Sequence, residues 1–140
     1  MKYFTLDELT SSTTARLRRL DNTPGPREVA NLNYLVDTLL DPLREAFGRP
    51  IVVTSGYRSE ELNRLVGGVT MSYHMRGLAA DITALGHDRK ENRRLRQLLG
   101  QTELPFDECI SYDVNADGPL WLHLQLRDTD HTNRYRYLQG

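Results

Sequence analysis

The sequence predicts a single α+β domain over residues 1–140, a mostly antiparallel sheet with helices packed on one face. Three observations carry this. At 140 residues with 39% hydrophobic content, the chain has the size of one domain and enough apolar mass for one core without staples. Val29, Leu32, Val36, Leu40, Leu43 and Phe47 recur at helical spacing, which predicts a long amphipathic helix. Short aliphatic or alternating stretches at about 51–54, 78–83, 107–112 and 120–126 read as strands.

The elements follow in order. Thr5 is placed to cap a short helix over Leu6 to Leu9, and Ser11 to Leu20 is read as a second. Pro24-Gly25-Pro26 precedes the long helix, which Pro42 should kink or split. Its leucine stripe is core. Ile51 to Val53 form a strand, followed by Thr54-Ser55-Gly56-Tyr57-Arg58-Ser59 and a helical run from Glu60 to Val66 closed by Gly67-Gly68. Asp88 looks like the cap of a helix at about 88–99, whose Leu95, Leu98 and Leu99 face inward while Arg89 to Arg96 form the wet face. Tyr135 to Leu138 is a candidate fifth strand.

Function is concentrated in SYHMRGLAADI. Ser72, His74, Gly77, Ala79 and Asp81 set an imidazole and a carboxylate seven positions apart around a glycine and an alanine. Leu78, Ala80 and Ile82 alternate with Ala79, Asp81 and Thr83, so Asp81 should point away from the apolar face. Gly77 allows a sharp turn that folds His74 back beside it. An imidazole and a carboxylate suit Zn²⁺, and a catalytic zinc site normally has three protein ligands and an open position. Of the remaining histidines, His87 and His131 lie in charged or polar stretches. His123 lies in LWLHLQL, where Leu120, Leu122, Leu124 and Leu126 occupy one side and Trp121, His123 and Gln125 the other. His74, Asp81 and His123 are therefore the expected metal ligands. Arg58, at a strand-to-helix corner, can clamp a carboxylate in bidentate fashion.

SGYRS (55–59), LNRLVGG (62–68), SYHMRGLAAD, PFDECI (105–110) and WLHLQ, in that order, resemble the zinc D-Ala-D-Ala carboxypeptidase family, peptidase family M15, in the compact branch common in phages, prophages and bacterial genomes. YFTLDEL (3–9), the NTP of 22–24 and ANLNYLVDTLLDPLREAFGRPI extend the likeness to the N-terminal part. The resemblance implies the hedgehog/DD-peptidase fold, Zn²⁺ held by His74, Asp81 and His123, and Arg58 on a substrate carboxylate or the scissile carbonyl. Ser72 would support the site, and Ser72 and Trp121 would line the substrate cleft. The implied substrate is the bacterial peptidoglycan stem peptide, cut as a D,D-carboxypeptidase, D,D-dipeptidase or L-Ala-D-Glu endopeptidase. A prophage lysin, or endolysin, is one such role. The alternative is a zinc-stabilised module that binds a wall peptide or a protein partner without hydrolysis.

One departure concerns the general base. Relatives carry an acid three residues before the last histidine, where this chain has Leu120, or at the position of Tyr112. Asp113 is the expected substitute, provided a bulge or the start of the loop turns it toward the metal; Asp117 is the second candidate and no base at all the third. Ser55, Ser72 and Cys109 show no nucleophile pattern, so no covalent intermediate is expected.

A net charge of -1 gives no electrostatic case for nucleic acid, and one cysteine excludes an internal disulfide. No stretch approaches the ~20 apolar residues of a membrane span, and MKYFTLDELTSS has no apolar signal-peptide region. The expectation is a monomer synthesised in the cytoplasm that reaches the cell wall through a holin or lysis.

Overall fold

Five strands build one sheet in the order β1-β2-β4-β3-β5: β1 (Ile51–Ser55), β2 (Ala79–Ala84), β3 (Glu108–Tyr112), β4 (Trp121–Gln125) and β5 (Arg136–Gln139). The computed structural model describes residues 1–140. Neighbours are antiparallel except β5, which runs parallel to β3, so the sheet is mixed. After β4 the chain passes β3 and returns in β3's own direction.

Period-two alternation separates the two faces of the sheet. Ala80, Ile82 and Ala84 of β2, Cys109 of β3, and Leu122 and Leu124 of β4 join one core with Leu32, Leu35, Leu39, Leu40, Leu43, Phe47, Leu95 and Leu99 of the helices. Each fully buried leucine or phenylalanine contributes roughly 1.5–3 kcal/mol relative to exposure. Asp81 and His123 alternate with these core residues and fall on the opposite face.

The helices start where side-chain oxygens can take orphan N–H groups. Thr5 caps α1 (Leu6–Thr10), Ser12 caps α2 (Thr13–Arg18), Ser59 caps α5 (Glu60–Leu65) and Asp88 caps α6 (Arg89–Gln101). The long helix changes type just before Pro42. It runs as α3 (Pro26–Leu35), a π-helical turn over Val36–Leu40, and α4 (Asp41–Phe47), and the Asp41 N–H bonds to the Val36 carbonyl. A proline ring crowds the carbonyl four residues back and offers no N–H, and one wide turn absorbs both defects.

Asn92 pins α6 to the sheet. Fully buried, it accepts from Ala84 N–H and donates to Thr83 Oγ1 and to the carbonyls of Pro119 and Leu120. A buried amide this well satisfied fixes the loop between β3 and β4 instead of destabilising the core.

Candidate metal centre

The sheet supplies two residues of the site and a turn supplies the third. Asp81 in β2 lies directly opposite His123 in β4. His74 sits in the 3₁₀ turn Tyr73–Arg76, where Ser72 Oγ accepts the His74 N–H. The turn ends at Gly77 with φ +76°, and a Cβ there would lie 2.6 Å from the Glu28 carbonyl oxygen. Only glycine lets this turn pass so close to α3. One ligand atom each from His74, Asp81 and His123 then lie within 4.8 Å of one another.

Hydrogen bonds orient both imidazoles. His74 Nδ1–H donates to the Gly56 carbonyl at 2.7 Å, which leaves Nε2 3.3 Å from Asp81 Oδ1. His123 Nε2–H donates to Gln125 Oε1 at 2.8 Å, which leaves Nδ1 2.9 Å from the same Asp81 oxygen. A carbonyl oxygen can only accept, so each ring carries its proton away from the centre and turns a lone pair inward. Two imidazole nitrogens and a carboxylate oxygen converging in this way suit Zn²⁺, and the outward N–H bonds are the usual support of metal-bound histidines. Burial lowers the His74 pKa, favouring the neutral ring.

Arg58 is fixed beside this group. Its Nε donates to Ser55 Oγ at 3.1 Å and its Nη1 to Asn63 Oδ1 at 3.2 Å, and its backbone N–H donates to the His74 carbonyl. Nη2 lies 3.6 Å from Asp81 Oδ2. Asn63 is itself buried and donates to the Val69 carbonyl, so one amide ties the arginine to the loop above it.

These residues floor a cleft of about 500 Å³. Ser72 and Trp121 both line it, and Trp121 stacks on Tyr112 with ring centroids 5.0 Å apart and planes 3° from parallel. Apolar Val66, Val69 and Met71 also line it. Asp81 and Glu108 are the carboxylates in the wall, and Glu108 is paired with Arg136.

Asp113 is placed elsewhere. β3 and β4 keep regular register through Tyr112↔Trp121, so the expected bulge is missing and Tyr112 occupies the face toward the site. Asp113 leaves the strand at φ 49°, with its carboxylate 3.5 Å from Arg89 Nη2 and its carbonyl bonded by Arg89 Nη1. It is outside the cleft wall, as is exposed Asp117, whose N–H donates to Asn115 Oδ1 within the loop.

A family model described as Peptidase M15 matches residues 2–111. The chain belongs to the peptidase M15 family. The match contains Arg58, His74 and Asp81; His123 lies beyond it, on the strand that pairs with Asp81. No curated protein sequence matches the chain. Family membership makes it a peptidase by kinship, and its His-Asp-His group gives that kinship a place to hold a metal.

Sequence reasoning did not give roles to Asn63, Glu108 or Gln125. Gln125 and Glu108 share a strand face with His123 and Tyr112, so alternation alone places them near the site. Asn63 had no such signal, since its partner Arg58 is reached across a helix start.

Proposed function

We propose that the protein is a zinc peptidase acting on bacterial peptidoglycan stem peptides, with His74, Asp81 and His123 holding the ion. The observation that carries this reading is the pair of inward-facing imidazole nitrogens meeting one carboxylate, each ring fixed by a carbonyl acceptor on its far side. When bound, zinc supplies Lewis acidity and lowers the pKa of a coordinated water toward 7. Arg58, fixed by Ser55 and Asn63, holds a substrate carboxylate or the oxygen of the scissile carbonyl as charge develops on it. The Tyr112–Trp121 stack and the apolar wall exclude water from the peptide. Proton transfer falls to groups in the cleft, the Glu108 carboxylate and the Tyr112 phenol, in place of Asp113.

One observation favours a second reading, a metal-stabilised module that binds wall peptide without cutting it. Glu108 is held by Arg136 and by Arg134 at 3.6 Å, leaving no unpaired carboxylate in the cleft wall. Amino-group release from purified stem peptides and whole peptidoglycan separates the two. Cleavage that requires zinc, stops with chelator and falls in Glu108→Gln or Tyr112→Phe supports the peptidase, and the products name the bond. Stoichiometric zinc with no cleavage supports the binding module.

A further inference from the structure

A directional chain of hydrogen bonds runs from the metal ligand His123 to a residue near the C-terminus. Gln125 Oε1 accepts from His123 Nε2 at 2.8 Å, and Gln125 Nε2 donates to Asp107 Oδ2 at 2.8 Å. Asp107 has no exposed surface and also accepts from the Arg134 backbone N–H at 2.9 Å, Nε at 2.9 Å and Nη2 at 2.8 Å. The chain has a forced polarity. An ionised carboxylate only accepts, so Asp107 compels the Gln125 amide to turn its NH₂ toward it and its oxygen toward His123. An oxygen there compels His123 to carry its proton on Nε2, which leaves Nδ1 free to face Asp81. Guanidinium, carboxylate, amide and imidazole thus agree on a single arrangement.

We infer that Arg134, Asp107 and Gln125 are positioning residues of the metal centre, which select the His123 tautomer that can ligate through Nδ1. The inference rests on reading His74, Asp81 and His123 as zinc ligands. It also makes the segment after β4 part of the site: Gln125 and Arg134 lie beyond the family match at residues 2–111, and the Arg136 N–H bonds to the Asp107 carbonyl at the start of β5. In Asp107→Asn the neighbour can present either a donor or an acceptor, so the Gln125 amide is free to reverse. The reversed amide offers a donor to Nε2 and draws the ring proton to Nδ1, where it blocks the metal. The polarity is restorable. In the double variant Asp107→Asn with Gln125→Glu, the amide introduced at position 107 donates to a carboxylate that can only accept, and His123 again finds an acceptor at Nε2.

Zinc affinity, measured by competition with a chromophoric chelator, and the visible absorption of the cobalt-loaded protein test this without reference to activity. The expected result is affinity about 10–100-fold weaker in Asp107→Asn, with an altered cobalt spectrum, and recovery of both in the double variant. An Asp107–Arg134 pair that served stability alone would leave the double variant as weak as the single one, and that result overturns the inference. Wild-type affinity in Asp107→Asn also overturns it. If Asp107→Asn does not fold, Gln125→Met keeps the buried ion pair and removes the acceptor; it should show the same loss, and unchanged affinity there overturns the proposal. Wild-type protein that binds no zinc would instead refute the metal reading itself.

Discussion

Gly56→Ala links packing to the metal site in one substitution. A Cβ at Gly56 would lie 2.1 Å from the Leu9 carbonyl oxygen, 2.8 Å from its carbon and 3.0 Å from Leu9 Cα, roughly 1 Å inside van der Waals contact. The obstacle is backbone, so no rotamer change relieves it. Leu9 is fully buried, and its carbonyl accepts the Tyr57 N–H at 2.7 Å. Overpacking of this kind costs about 1–3 kcal/mol, and loss of the Tyr57–Leu9 hydrogen bond adds about 1 kcal/mol. The sum, about 2–4 kcal/mol, is a large share of the ~5–15 kcal/mol that holds an ordinary domain together. The Gly56 carbonyl also receives His74 Nδ1–H, so zinc affinity should fall along with stability. Urea unfolding of the metal-free protein measures the first effect through the midpoint at constant slope, and chelator competition the second. A destabilisation below about 1 kcal/mol would refute the close approach between α1 and the connection after β1 on which the argument rests.

Three further outcomes follow from individual contacts. Gly68→Ala sets a Cβ 2.0 Å from Asn63 Oδ1 and 2.9 Å from Arg58 Nη1, so it should displace the amide that fixes Arg58. Losing a charge-assisted contact of about 1.5–3 kcal/mol predicts a roughly 10–100-fold fall in kcat/KM on a stem peptide at unchanged zinc content; unaltered kinetics would remove Arg58 from the substrate site. Cys109 is fully buried, and burial pushes its thiol up to about 12, so a thiol reagent should label it only as fast as the protein unfolds. Burial works against charge on Asp107, but hydrogen bonds from Arg134 and Gln125 hold its carboxyl below the ordinary value. As pH falls the unfolded chain therefore takes up this proton first, so the stabilisation is complete above about pH 4 and is lost as pH drops through the depressed folded value. Urea midpoints from pH 5 to 2 should converge between wild type and Asp107→Asn, and a constant gap would contradict the depressed pKa.

Much of this was legible from periodicity because each face of the sheet has its own environment. Leu122 and Leu124 announce a buried face, and that places His123 on the other with no further information. The same rule works for Asp81 between Ala80 and Ile82. At Asp113 the same rule points away from the site, and the expectation departed from it by invoking a bulge that an unbroken β3–β4 ladder does not make. Arg89, at the start of α6, takes Asp113 instead, and that pairing bridges 24 residues. At Pro42 the local rule located the disturbance, a π turn just before the proline, with buried core residues on both sides of it. Arg134 carried no signal, since only the parallel return of β5 brings it under Asp107.

The site divides its parts between rigid and adjustable elements. Asp81 and His123 sit on adjacent inner strands whose other face is the core, so their separation is set by the ladder. His74 and Arg58 come from connections, and side-chain and backbone pins hold them: Gly56 carbonyl on His74, Ser55 and Asn63 on Arg58, and the Arg58 N–H on the His74 carbonyl. These pins link the two connections to each other as well as to β1. A core of 21 buried residues lies behind the site, unlike small domains in which a metal replaces a core. With zinc bound as proposed, the inward lone pairs of His74 and His123 would be set before the ion arrived.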